Sequence, residues 1–373
     1  MGLLICLSER RVMFMNRLVK TLFQISDMYM EEDNVLEVIN DYSLFIGEIC
    51  MNRITGIAYK NLEKCHKLRL PKEIENILFA SYKDNINRAE RFIEKLKYLA
   101  SIFENANFPY VFLKGAFLTT QLYPKGYRTS NDIDVLIKET DISLCQSILS
   151  MNGFVQGYYN RNEKRIIPAT RKEILFARMN FGETVPFVKM FGHSELYVDL
   201  NFSVDFKPIS PDNNLIDFFL DNRKKVSFQE MEFYSLDECD FLIHLCCHLY
   251  KEATTIEWVK EHRDLQLYKF SDINVFLHRF NGDIFWEELK NRIIRYGVQK
   301  ECYYTFNRVL LIYPQLKAIS GFVKIVEMIR NDNDVYLNII VEPKTGKEFV
   351  YELPFEEWFI THNKLEYLKI KED

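Results

Sequence analysis

The sequence predicts an α+β protein in which short strands sit among long helices, and three observations carry that expectation. Apolar residues recur with helical spacing over long stretches: Val35, Ile39, Tyr42, Ile46 and Ile49 within 12–64, and Ile74, Ile77, Leu78, Tyr82, Ile86, Phe92, Leu96, Leu99, Ile102 and Phe103 within 72–106. Two short runs, 110–113 and 132–137, have the length and apolar content of strands, and a third at 195–203 alternates polar with apolar residues. Gly (13) and Pro (10) are sparse in 373 residues, which leaves few turns and favours long helices. The chain then divides into an N-terminal helical region (1–106), a strand-bearing core (107–234), a helical lobe (235–320) and a C-terminal hairpin and tail (321–373).

The elements follow in order. Pro71 breaks the first helical stretch, and Asn107 and Pro109 separate the long amphipathic pattern from the strand at 110–113. A Lys114-Gly115 turn and a helix lead to a basic, polar turn and the strand at 132–137. After it, a helix of about ten residues ends near Asn152-Gly153, and 158–187 is polar enough to be a hairpin or loop. From Ser235 the chain is helical again, with Asp237 and Glu238 placed for a helix start. Near the end, the runs 335–341 and 349–353 flank Glu-Pro-Lys-Thr-Gly-Lys, a turn signal, and predict a β-hairpin.

The run Asp132-Ile-Asp-Val-Leu-Ile137 carries the chemistry. Side chains alternate across a strand, so Asp132 and Asp134 share one face while Ile133, Val135 and Ile137 fill the other. Two neighbouring carboxylates repel unless a cation lies between them or one takes a proton. Mg²⁺ suits such hard oxygen ligands and binds one or two carboxylates together with substrate phosphates. Asp-x-Asp by itself is common on solvated strand edges. Here a Gly turn lies one helix upstream, where Gly permits close backbone approach and amide N–H groups at a helix start donate to phosphate.

The run 113–115 (Leu-Lys-Gly), Arg128 and the run 131–137 (Asn-Asp-Ile-Asp-Val-Leu-Ile) resemble the uncharacterised bacterial nucleotidyltransferases of the polymerase-beta-type superfamily. The likeness runs from about residue 35 to 315. It implies a mixed-sheet core, two Mg²⁺ ions and transfer of a nucleotidyl group from an NTP such as ATP. It places Lys114, Gly115, Ala116 and Arg128 at the nucleotide and Asp132 and Asp134 at the metal. Most of the superfamily has Gly-Ser at the turn, so Gly115-Ala116 removes one hydroxyl contact to phosphate. The third acidic residue of the family falls on the alternating run 195–203, where Leu196, Val198, Leu200 and Phe202 form one face and Glu195, Tyr197, Asp199 and Asn201 the other. Asp199, mid-strand on the polar face, is the third expected catalytic and metal-binding carboxylate. Glu195 and Asp205 lie nearer the ends, and Asn201 stands where the family often has His.

Composition narrows the class. A net charge of −5 makes the whole chain a poor polyanion binder, leaving nucleic acid only a local basic patch. Eight cysteines without Cys-x-x-Cys spacing read as buried thiols of a reducing cytoplasm. No apolar run approaches a membrane span, and the opening Met-Gly-Leu-Leu-Ile-Cys-Leu lacks signal-peptide features. His244 and His248 share a helix face four residues apart, but without the glutamate of a zinc motif they read as packing residues. Arg263, His248 and Tyr250 place polar groups on the lobe, where Asp272 and Arg263 are suited to bracing it against the site, or Arg263 to touching substrate phosphate. The reading is therefore an Mg²⁺-dependent nucleotidyltransferase acting on an acceptor the sequence does not identify. The alternatives are a non-catalytic nucleotide- or protein-binding regulator on the same fold and a metal-dependent nucleotide-sugar glycosyltransferase, the latter disfavoured by the helical N-terminal region.

Overall fold

Helical periodicity becomes helices at 17–25 (α1), Tyr42–Met51 (α2), Thr55–Lys64 (α3) and the 32-residue Lys72–Phe103 (α4) in the computed structural model. The structure describes residues 17–31, 41–65, 70–204, 215–330 and 334–371, so Val35, Ile39 and Asp205 lie outside the described residues. Asp41 caps α2 by accepting the Leu44 N–H at 2.9 Å. The apolar stripe of α4 (Phe92, Leu96, Leu99, Phe103) covers one face of the sheet.

That sheet comprises Tyr110–Phe112 (β1), Ile133–Ile137 (β2), Val155–Asn160 (β3), Arg165–Pro168 (β4), Phe187–Phe191 (β5) and Ser194–Asn201 (β6), in the order β1-β2-β6-β5-β3-β4. The β2–β6 pair is parallel and the other pairs are antiparallel, so the sheet is mixed. Between β1 and β2 the chain makes a short helix, Gly115–Phe117 (α5), that runs on into a π-helical turn, Leu118–Leu122. Ile142–Met151 (α6) follows β2 and ends at Gly153 with φ 81°. Ile133, Val135 and Ile137 join Leu196, Val198, Leu200 and Phe202 in one apolar layer beneath α4 and α6. Period-two alternation thus divides the two strands into a dry face and a polar one.

The stretch 158–187 is more than a loop. After the β3–β4 hairpin comes a helix, Arg171–Phe181 (α7), opened by a capping box. The Thr170 hydroxyl accepts the Glu173 N–H at 3.3 Å, while Glu173 accepts the Thr170 N–H at 2.7 Å. The Thr-x-x-Glu signal was present, but the polar composition concealed it. Gly182 closes α7 in the left-handed region, where an added Cβ would stand 2.3 Å from the Ser203 Cβ.

Leu215–Asp221 (α8) and a hairpin of Lys224–Phe228 (β7) and Met231–Ser235 (β8) lead into the lobe. The lobe holds Glu238–Ala253 (α9), Ile256–Lys260 (α10), Leu267–Arg279 (α11), Asp283–Tyr296 (α12), Gln299–Ile312 (α13) and Ser320–Met328 (α14). Asp237 caps α9 by accepting the Asp240 N–H at 2.9 Å. The C-terminal hairpin forms from Ile339–Glu342 (β9) and Lys347–Val350 (β10), with Phe355–Ile360 (α15) and Lys369–Ile370 (β11) completing the tail. Its first strand starts later than the sequence indicates, because Asp334–Asn338 winds into a 3-10 turn. One apolar cluster takes in Leu22 of α1, Phe45 of α2, Ile57 of α3, Phe241 of α9, Phe276 of α11 and Trp358 of α15. Among the described residues, no helix is long and apolar enough to cross a membrane.

Candidate active site

The polar face of β2 and β6 meets α9–α11 across a cleft of about 250 Å³, lined on the sheet side by Asp132, Asp134, Asp199, Glu183 and Asn201. Parallel pairing sets Asp134 directly opposite Asp199. Adjacent strands lie about 4.8 Å apart, so their carboxylates leave the sheet side by side. Asp132 stands one residue before β2 at the cleft mouth, where it keeps contact with water. Asn201 donates from Nδ2 to Asp134 Oδ1 (3.3 Å) and to the Asp199 carbonyl (3.2 Å), which orients the central carboxylate. The expected trio is therefore gathered in one place. Glu195, nearer the strand's start, does not line the cleft, and its backbone carbonyl accepts from Lys95 Nζ.

Burial and like charge act together on this wall. Burial first, then Asp134, Asp132 and Glu183, push the Asp199 carboxyl well above its usual 3.8. Asp132 reaches water at the cleft mouth, yet the protein packed around its carboxyl and then the charge of Asp134 raise it, with Lys114 and Arg53 opposing. Glu183 is also raised by burial, opposed by Lys251 and reinforced by Asp134. Sequence reading missed Glu183. It lies outside any alternating run and reaches the cleft only through an isolated bridge to Asn201 that follows the Gly182 turn.

The turn before α5 differs from the expected phosphate cradle. Lys114 adopts φ 33° and ψ −96°, outside the regions favoured by residues with a side chain. Its Nζ lies 3.7 Å from Asp134 Oδ2. Burial draws the ammonium's pKa down, yet Asp134, Glu252, Tyr268 and Asp132 together hold it above its ordinary value. Gly115 is required by close approach, since a Cβ there would meet the Ser130 Oγ at 2.7 Å. The Ala116 N–H, expected at the phosphates, bonds instead to the Leu113 carbonyl at 3.2 Å, and the Ala116 methyl is buried beneath the sheet. The sharp turn at Lys114 uses that amide internally. Ser130, also unnoticed in the sequence, brings a hydroxyl to the cleft beside Gly115.

Arg128 lines the cleft with its guanidinium already engaged. Its guanidinium holds Asp272 of α11 through two bonds, Nε to Oδ1 at 2.7 Å and Nη2 to Oδ2 at 2.9 Å, and also donates to Ser130. With side-chain exposures of 9% and 4%, the pair is a buried strut that fixes the lobe to the sheet. The expected bracing role of Asp272 is filled by Arg128, while Arg263 remains exposed over the Trp258 ring at 4.6 Å. Arg53, held in the left-handed region at φ 55°, places its guanidinium over Tyr268 at 4.5 Å and lines the cleft beside Asp132.

On the lobe wall, His244 and His248 stack with ring centroids 6.2 Å apart. Burial, then the charge of Lys114, holds both imidazoles well below the usual range and hence neutral. His248 Nε2 lies 3.3 Å from Glu252 Oε2, which pairs with the buried Lys269 ammonium at 2.6 Å. Among the described residues, neither ring nitrogen of His244 has a hydrogen-bond partner. Both rings line the cleft, whereas Tyr250, expected on the same wall, packs edge-on against Tyr304 at 5.2 Å.

Among the described residues no three Asp, Glu, His or Cys side chains converge as a ready ion cage. Repelling carboxylates have no reason to converge without a cation between them. Three oxygen donors on one wall nevertheless suit Mg²⁺, whose remaining ligands are commonly water and substrate phosphate. A family model described as "Uncharacterised nucleotidyltransferase" matches residues 40–313. No curated protein and no solved structure matches the chain.

Proposed function

The chain belongs to the uncharacterised nucleotidyltransferase family, and we propose that it moves a nucleoside monophosphate from an NTP, such as ATP, to a hydroxyl-bearing acceptor. The single observation that carries this reading is Asp134 set opposite Asp199 in the parallel β2–β6 pair, with Asp132 and Glu183 lining the same cleft. Mg²⁺, for which Asp132, Asp134 and Asp199 are the natural ligands, would neutralise triphosphate charge and polarise the α-phosphoryl group. The acceptor oxygen forms its bond to the α-phosphorus as the bridging oxygen bond breaks and pyrophosphate leaves, and Asp199 is placed to take the acceptor's proton. Arg53 and Lys114 supply positive charge for the outer phosphates. Ser130 offers the hydroxyl that Ala116 lacks. The unpartnered nitrogens of neutral His244 suit a hydrogen bond to the acceptor, which enters from the lobe side past Arg263.

Buried thiols such as Cys145, Cys239, Cys246 and Cys302 support a reducing, cytoplasmic setting. The test is incubation with α-labelled NTPs and Mg²⁺ against a cell extract. Wild-type protein should label a specific acceptor, and Asp134→Ala should not. Equal labelling by both proteins, or none by wild type with any NTP, removes the assignment.

A further inference from the structure

The acidic wall already contains a cation of the protein's own. Lys114 is held in a backbone conformation that residues with side chains seldom adopt, and such strain persists where the surrounding structure enforces it, commonly at functional sites. Its ammonium is mostly covered, with 20% of the side chain exposed, and lies 3.7 Å from the outer oxygen of Asp134, the oxygen not taken by Asn201. The same charge acts on Asp132, Asp199 and Glu183 on the sheet wall and on His244 and His248 on the lobe. An ion bridging Asp134 to its neighbour on β6 would meet this ammonium, and like charges at that range repel strongly in a partly dry cleft.

We propose that Lys114 permanently occupies one of the two cation positions expected at this site, so that the protein takes a single divalent ion, and takes it together with the nucleotide. The inference rests on the nucleotidyltransferase reading given above. It accounts for a lysine at a position where glycine would relieve the backbone. It also fits carboxylates that share a wall with this ammonium: the ion's further ligands come from the triphosphate, and the second positive charge from the lysine.

The experiment is a Mn²⁺ titration of the full chain followed by electron paramagnetic resonance, with and without a non-hydrolysable NTP analogue. Wild type should bind one Mn²⁺ per chain, and only with the analogue present. Lys114→Met should bind a second ion or hold the first roughly tenfold more tightly, while Lys114→Arg should stay at one. Two Mn²⁺ in wild type, or unchanged binding in a Lys114→Met protein that melts cooperatively, overturns the inference and leaves the nucleotidyltransferase reading standing. If Lys114→Met does not fold, the stoichiometries of wild type and Lys114→Arg decide the matter. Wild type that binds neither Mn²⁺ nor the analogue overturns the functional reading as well.

Discussion

The two walls of the cleft treat charge in opposite ways. On the lobe and its supports, buried charges are matched: Lys269 with Glu252 (2.6 Å), Arg128 with Asp272 (2.7 Å), Arg292 with Asp237 and Asp240 (2.5 and 2.9 Å) and Lys364 with Asp264 (2.6 Å). On the sheet, Asp134 has one ammonium at 3.7 Å, while Asp132, Asp199 and Glu183 make no ion pair among the described residues. Paired buried ions hold two elements in one geometry, and breaking a pair is costly. Unpaired, crowded carboxylates oppose folding, and strongly perturbed groups in a cleft mark a functional site. One wall is architecture, and the other leaves its carboxylates crowded and largely without ion pairs among the described residues.

The largest effect should come from the acidic wall. Asp134→Ala or Asp199→Ala should lower transfer by ~10²-fold or more, because preorganised charge commonly supplies that much rate. Both variants should remain folded. Calorimetry that finds Mg·NTP affinity unchanged in each would remove the wall from the mechanism. On the architectural side, Arg128→Ala should destabilise the fold by about 3–5 kcal/mol, since it strands a buried Asp272. The double variant Arg128→Met, Asp272→Leu should recover most of the loss in denaturant titrations. If the single and double variants unfold alike, the strut assignment fails.

A pH series sharpens the same contrast. The folded pKa values of Asp132, Asp199 and Glu183 are raised, so the folded protein holds these protons more tightly than the unfolded chain does. Their contribution is fully present below the ordinary carboxylate range and is lost as pH rises through the raised values. Metal-free protein should therefore lose stability as pH climbs above the ordinary Asp value of 3.8, and Asp199→Asn should flatten that slope. Chemical denaturation at several pH values in EDTA checks it, and a slope that Asp199→Asn leaves intact would place the protons elsewhere. The smallest structural effect belongs to Arg263, exposed on the lobe: Arg263→Ala should change stability by no more than about 0.5 kcal/mol. It should nevertheless raise the acceptor KM more than it weakens nucleotide binding, as should His248→Ala. The reverse pattern would move the acceptor away from the lobe.

Much of the site was legible because it is written in short-range patterns. Period-two alternation put Asp132 and Asp134 on one face and Asp199 on the matching face of a second strand, and the register confirms that Asp134 and Asp199 are neighbours. Helix α7 was missed because polar composition outweighed the Thr170–Glu173 capping pair. Arg128 looked available for phosphate because nothing local betrays its partner, which arrives on α11. Glu183 and Arg53 had no signal: one reaches the cleft through a bridge beyond Gly182, the other from the turn between α2 and α3.

The sequence by itself determined the long helices, the strands β1, β2 and β6, which face of β2 and β6 is dry, and which carboxylates share the polar face. These follow from backbone dihedrals and side-chain periodicity, which operate over a few residues. Only the tertiary structure decided that Lys114 is turned onto Asp134, that Arg128 is committed to Asp272, and that the histidines of α9 face the carboxylates of the sheet. Those outcomes depend on which distant elements pack together. A charged side chain buried by that packing takes whatever opposite charge the fold brings within reach.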